Sequence, residues 1–253
     1  MTTESQNPQN FNLIGVRINA LEHEQILADM GEWIRAHTHG HTIVLANTHV
    51  VMESRQNPAL VEALAAATLV VPDGMPIMMA ARSRGYPLRA RADGPGLMQK
   101  ALIREDCRAW RHYFYGGTTQ VLASLLQKYP NLQIAGVYAP PFRPLTPEED
   151  ALVVDEINAS QADVLWVGLG CPKQERWMFE HAARLQVPVL LGVGQAFDIL
   201  GGVKKRAPRW MCTIGLEWFY RLLSEPRRLW KRYLLYNPWF VWLYFREQVD
   251  LMF

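Results

Sequence analysis

The sequence predicts an α/β protein: a mostly parallel sheet with helices on both faces, followed by a helical C-terminal appendage. Three observations predict it. Short, unbroken apolar runs at residues 42–46, 68–72, 164–167 and 187–193 have the character of strands buried on both faces. Stretches with helical apolar spacing alternate with them, the order expected of a covered parallel sheet. The last fifty residues differ in composition, carrying ten basic residues from Lys204 to Arg246 against Glu217, Glu225, Glu247 and Asp250. That segment holds about +6, and the chain total of +2 leaves about −4 for the first 203 residues.

Residues 1–10 are polar, with Glu4 as their only charge, and read as a disordered leader rather than a signal peptide. Residues 14–18 read as a short first strand. Leu21, Ile26, Met30, Trp33 and Ile34 fall on one helical face. The strand at 42–46 stops at Asn47-Thr48-His49, and a helix follows. Asn57-Pro58 opens another helix, with proline at its first position. The strand at 68–72 ends at Asp73-Gly74. The pattern then repeats: strand 110–115 into Gly116-Gly117 and a helix to about Tyr129, then strand 133–138 into a proline-rich loop at 140–144. Thr146-Pro147-Glu148-Glu149 supplies a cap, a first-turn proline and acidic residues where a helix dipole favours them. Strand 164–167 ends in Gly168-Leu169-Gly170 before a helix from about Lys173, and the last strand ends at Gly194-Gln195.

Three cysteines, Cys107, Cys171 and Cys212, contain no CxxC pair, which argues against a disulfide framework and for a reducing compartment. The most apolar stretch of the tail, 233–245, is shorter than the roughly 20 residues needed to span a bilayer and is broken by Asn237-Pro238. Tryptophans and tyrosines mixed with cations suit a surface that lies against lipid headgroups.

In parallel sheets ligands bind beyond the carboxyl ends of the strands, so polar residues there are the candidates. Asn47, Thr48 and His49 offer an amide, a hydroxyl and an imidazole. Asp73 is held between proline and glycine; such a carboxylate can also form a simple Asx-turn. The glycine turn at Gly168 and Gly170, followed by Lys173 and Gln174 at a helix start, suits an anion. It is neither GxGxxG nor a P-loop, which disfavours a dinucleotide-dependent oxidoreductase. Arg91 closes a basic stretch with Arg82, Arg84 and Arg89, and one such guanidinium suffices to grip a diphosphate. No Asp-x-Asp motif is present to hold a metal–diphosphate, so no metal or other cofactor is expected.

Taken in order, Pro72-Asp73-Gly74, Arg91, Val167 to Glu175, Gly192-Val193-Gly194 with Phe197-Asp198, Arg206-Ala207-Pro208, Glu217 to Leu222 and Glu225-Pro226-Arg227-Arg228 resemble the WecG/TagA/CpsF glycosyltransferase family. The resemblance runs from about Ile14 to Phe240. It implies a Rossmann-like domain over 11–203 and an appendage over 204–253 that docks on the cytoplasmic face of the bacterial membrane. It implies an inverting transfer from a UDP-sugar to a polyprenyl-diphosphate-linked acceptor in exopolysaccharide or cell-wall glycan assembly. By the same resemblance Asp73 is the general base, and Asn47, Arg91 and Gln174 are substrate-site residues. Arg221, Arg228 and Arg232 close over the diphosphate. Two departures, Leu45 where many relatives have threonine and Gly96 where they have aspartate, leave the donor open among N-acetylmannosamine, its uronic acid and glucose. The implied partners are the donor, the lipid-linked acceptor and an anionic membrane surface. A homo-oligomer is allowed and nucleic acid is not expected. Chemically, an inverting transfer needs one base and a neutralised leaving group, which Asp73 and a row of arginines supply. Within a helix begun by Pro226, Arg228 and Arg232 share a face. Leu229, Tyr233 and Tyr236 turn to the body, and Trp239 and Trp242 reach toward headgroups. The rival from another class is a non-catalytic, nucleotide-binding membrane scaffold.

Overall fold

The computed structural model describes residues 10–250, with all side chains in that span except those of Arg209 and Arg232. The chain opens with β1 (Asn10–Leu13) and β2 (Val16–Asn19), an antiparallel hairpin. Ile14 and Gly15 both have positive φ, 52° and 84°, as a tight hairpin turn matched to strand twist requires. The strand expected over 14–18 is thus the second arm of a separate hairpin, because the apolar run conceals a turn at Ile14. The expected leader lies outside the described residues apart from Asn10, which begins β1.

Next come α1 (His23–Arg35), β3 (His41–Ala46), α2 (Thr48–Ser54), α3 (Pro58–Ala66) and β4 (Leu69–Pro72). α4 (Met75–Ser83), α5 (Gly94–Ile103) and α6 (Glu105–Arg108) precede β5 (Arg111–Gly116), α7 (Thr119–Lys128) and β6 (Gln133–Tyr138). α8 (Pro147–Ala159), β7 (Val164–Gly168), α9 (Lys173–His181), β8 (Val189–Gly192) and α10 (Ala196–Leu200) complete the body. Local chemistry fixes the helix starts. Asn57 Oδ1 accepts from Leu60 N at 3.2 Å behind Pro58. Thr146 and Glu149 form a reciprocal capping box, each cap satisfying an otherwise orphaned N–H.

Strands β3 to β8 form one six-stranded parallel sheet in the order β4-β3-β8-β7-β5-β6. Successive residues feed opposite cores: Val44, Ala46, Val70, Leu165 and Val167 face one side, and Ile43, Leu45, Leu69, Val71 and Trp166 the other. The first face is covered by α2, α3, α4, α8 and α9, the second by α1, α5, α7 and α10. Two-sided burial explains why these strands lack polar alternation. β6 is the exception: it is an edge strand with exposed Ile134 and Val137, not a buried one.

The appendage comprises α11 (Arg209–Thr213), α12 (Glu217–Ser224), α13 (Pro226–Lys231), a π-helical turn over Arg232–Tyr236 and α14 (Asn237–Asp250). It packs on the α2/α4 face of the body. Phe240 is buried in that core, with Tyr236, Trp239, Leu243 and Tyr244 against it. Glu247 takes Arg84 at 2.5 Å and the Ile14 N–H at 2.8 Å, and Tyr244 meets Ser83 at 2.6 Å. Leu229 is buried, and Tyr236 therefore turns to the body as expected. Trp239 does too, contrary to its expected place among headgroups, because the π-turn rotates α14 relative to α13. Tyr233 instead packs edge-on against Trp218 inside the appendage, ring centres 5.8 Å apart. Among the described residues no helix is long and apolar enough to cross a membrane.

Candidate active site

A cleft of about 1530 Å³ runs along the carboxyl ends of the sheet, walled on one side by the appendage. Its near end is built by register. β3 and β4 pair with Ala46 opposite Pro72, so the next residues, Asn47 and Asp73, are lateral neighbours. The Asp73 N–H extends the ladder to Ala46 O at 2.9 Å. Asn47 Oδ1 caps α2 through the N–H groups of His49 (3.0 Å) and Val50 (3.3 Å). That cap fixes the amide's rotation and aims its Nδ2 at Asp73 Oδ2, 3.2 Å away. Gly74 packs closely on this pair: a Cβ there would lie 3.3 Å from Asn47 Cβ.

Asp73 sits on the cleft floor in an environment that favours its neutral form. Burial pushes its carboxyl up to about 6, opposed by the positive charge of Arg91 and the Asn47 hydrogen bond and aided by Asp93 and Glu217. Arg91 is brought close because Ala92 N–H donates to Pro72 O at 2.7 Å. Its guanidinium is bonded to the Glu217 carboxylate of α12, both side chains largely shielded. Burial opposes ionisation of Glu217, yet Arg91, Arg221 and Arg206 together hold it below the ordinary range. Asp93 caps α5 through Gly96 N at 2.8 Å and takes Arg206 at 2.5 Å.

The middle of the cleft is the pair of glycine turns after β7 and β8. Gly170 has φ 78° and open space where a Cβ would point, so only the backbone faces the cleft. At Gly168 a Cβ would strike the Phe197 ring at 2.8 Å. Gln174 stitches the turns together: its Oε1 accepts from Gly170 N (3.1 Å) and Gly194 N (3.0 Å), and its Nε2 donates to Glu175 (2.8 Å). It is buried, at 5 % exposure. Lys173 is exposed at the start of α9 and lines the cleft, as Thr48 does.

Above the turns stand Arg221 and Arg228. Arg228 is exposed and pairs with Glu225 at 2.8 Å. Arg221 Nε is buried with no hydrogen-bond acceptor among the described residues, an arrangement that costs energy. The Arg232 side chain lies outside those described. At the far end, Tyr138, Tyr115, Trp177 and His181 stack in a column, Trp177 lying 4.3 Å from both Tyr115 and His181.

Asn47, Thr48, Asp73, Arg91, Gly168, Gly170, Lys173, Gln174, Arg221 and Arg228 thus line one cleft, and Arg232 is not placed in it. Sequence reasoning gave no role to Glu217 or to the aromatic column. The i, i+4 spacing of Trp177 and His181 below the last residues of β5 was the available signal for the column.

A model of the Glycosyl transferase WecG/TagA/CpsF family matches residues 11–252. A Bacillus spizizenii protein, N-acetylglucosaminyldiphosphoundecaprenol N-acetyl-beta-D-mannosaminyltransferase, is 34% identical over 199 residues, 77% of this chain and 75% of that one. Proteins of the same name from Bacillus subtilis and Staphylococcus aureus (strain MW2) are 30% and 31% identical. They cover 77% and 74% of this chain, and 75% and 73% of their own lengths. With the match spanning both body and appendage, the chain belongs to the WecG/TagA/CpsF family of glycosyl transferases.

Proposed function

We propose that this chain is an inverting, metal-independent transferase. It moves a sugar from a UDP-sugar to a polyprenyl-diphosphate-linked saccharide on the cytoplasmic face of the bacterial membrane, in cell-wall glycan or exopolysaccharide assembly. The relatives' names supply the acceptor class. The observation that carries the reading is Asp73, a carboxyl with its pKa raised to about 6 on the floor of a cleft walled by cations.

In this reading the acceptor hydroxyl lies against Asp73, which takes its proton as the oxygen attacks the anomeric carbon. The bond from that carbon to the diphosphate breaks on the opposite face, and UDP departs. A base with a pKa near 6 is ionised at neutral pH and still basic enough to assist. Charge growing on the leaving diphosphate meets Lys173, Arg221 and Arg228, with the backbone of Gly168 and Gly170 beneath it. Asn47 orients the base, Thr48 borders the sugar, and Gln174 acts by shaping the turns.

The test is incubation with a panel of UDP-sugars and a short-chain polyprenyl-diphosphate N-acetylglucosamine, read by mass, with and without chelator. A product mass increased by one sugar and insensitive to chelator supports the reading. UDP binding without product from any donor would instead favour the scaffold.

A further inference from the structure

The Arg91–Glu217 ion pair joins residues 126 positions apart, one on the body and one on the appendage. Arg91 lies on the loop stitched to Pro72, beside Asp73. Glu217 is the first residue of α12, and Gly215 just before it backs onto Met75, the first residue of α4. A Cβ on Gly215 would stand 3.3 Å from Met75 Cγ, so α12 starts directly over the Asp73-Gly74 turn. The Arg91 charge already acts on Asp73 to lower its carboxyl, and a guanidinium not held by Glu217 is drawn toward a close ion pair with it. Such a pair lowers a carboxyl by 1–3 units and blocks the oxygen an acceptor hydroxyl must reach. Among the described residues Asp73 instead receives its side-chain hydrogen bond from Asn47, and the guanidinium is spent on Glu217.

We infer that Glu217 is a positioning residue: by holding Arg91 it keeps the Asp73 carboxylate free and basic, so the seating of the appendage sets the strength of the base. The inference rests on the reading of Asp73 as the base and adds to it a residue that acts through Arg91. The groups around Asp73 are Asn47 from the end of β3, Arg91 and Asp93 from the loop before α5, and Glu217 from α12. Glu217 in turn faces Arg91, Arg221, Arg206 and Cys212. Removing its charge takes away a repulsion on Asp73 and releases Arg91 toward it, and both changes act in the same direction. An appendage that is not seated leaves Arg91 to quench the base, which ties turnover to docking.

The experiment compares kcat/KM against pH for the full-length parent, Glu217→Gln, Arg91→Gln and the double variant, using a UDP-sugar and a short-chain polyprenyl-diphosphate acceptor. For Glu217→Gln the midpoint of the acid limb moves down by ~0.5–1 unit and the plateau falls by roughly 2- to 3-fold as the base weakens. Arg91→Gln moves the midpoint up, and in the Arg91→Gln background Glu217→Gln no longer moves it down, which separates action through Arg91 from a general loss of packing. A purely structural Glu217 would scale the whole profile without moving its midpoint, and an unchanged midpoint in Glu217→Gln overturns the inference. Failure of the underlying reading looks different: Asp73→Asn would then retain turnover. An inactive Asp73→Asn with an unmoved midpoint in Glu217→Gln sinks only the role of Glu217.

Discussion

Asn47 donates to Asp73 across 3.2 Å while its own carbonyl caps α2. One side chain therefore fixes both a helix start and a neighbouring carboxylate. The two functions are separable. Asn47→Ser keeps an oxygen for the cap, worth about 0.5–2 kcal/mol, but loses the amide N–H that points at Asp73. Because that hydrogen bond lowers the Asp73 pKa, its loss should move the acid limb of kcat/KM to higher pH with little change in Tm. An unmoved limb would show that the amide does not touch the reactive carboxyl in solution.

Asp73→Asn should abolish transfer, by roughly 10²-fold or more for loss of a general base, while UDP affinity measured by titration calorimetry stays near the parent's. Near-normal turnover would remove Asp73 from the mechanism. In the parent, kcat/KM should rise as pH passes through about 6, where the carboxyl ionises.

The same raised pKa predicts a stability change. A carboxyl whose folded pKa lies above its unfolded value favours the fold below the unfolded pKa, near 4, and that contribution is lost as pH rises through about 6. A shift of about 2 units caps the penalty at about 3 kcal/mol. Asp73→Asn should therefore raise Tm at pH 7.5 and leave it unchanged near pH 4. Equal effects at both pH values would mean that the substitution acts through packing.

The legibility of the molecule follows its physics. The buried strands β3, β4, β7 and β8 were readable because two-sided burial removes polar residues from consecutive positions. The caps at Asn57 and Thr146 were readable because only a few side chains satisfy a helix N-terminus. The turn at Ile14 was not, since a β-branched residue rarely takes the positive φ it has there and so reads as strand. Asp73 and the glycine turns were found through their place after apolar runs. Gln174 was legible as a site residue, but its service to Gly170 and Gly194 depends on a contact 20 residues away. Glu217 was hidden for the same reason: its partner Arg91 is remote in sequence and meets it only once the appendage folds back.

Arg221 carries a cost to the fold. Its Nε is buried without an acceptor among the described residues, which costs about 1–3 kcal/mol. Arg221→Gln should lower kcat/KM by about 10–100-fold, the value of a charge-assisted hydrogen bond to a leaving diphosphate. Tm should hold or rise, because the unsatisfied donor is gone. A large fall in Tm with unchanged kcat/KM would make Arg221 a structural residue of the appendage.

The outer face of α14 provides the last prediction. Trp242 and Phe245 are 56% and 63% exposed, while Phe240 and Glu247 hold the helix to the body. Deleting the tail would uncover the core around Phe240, so point changes test docking more cleanly than truncation. Trp242→Ser with Phe245→Ser should leave Tm nearly unchanged, since exposed positions carry little stability. Each side chain buried in lipid contributes about 1.5–3 kcal/mol, so affinity for anionic vesicles should fall by about 100-fold or more in sedimentation assays. The residual binding should be salt-sensitive, because only the cations remain to hold the surface and their attraction is screened. Unchanged vesicle affinity in the double variant would remove this face of α14 from the membrane contact.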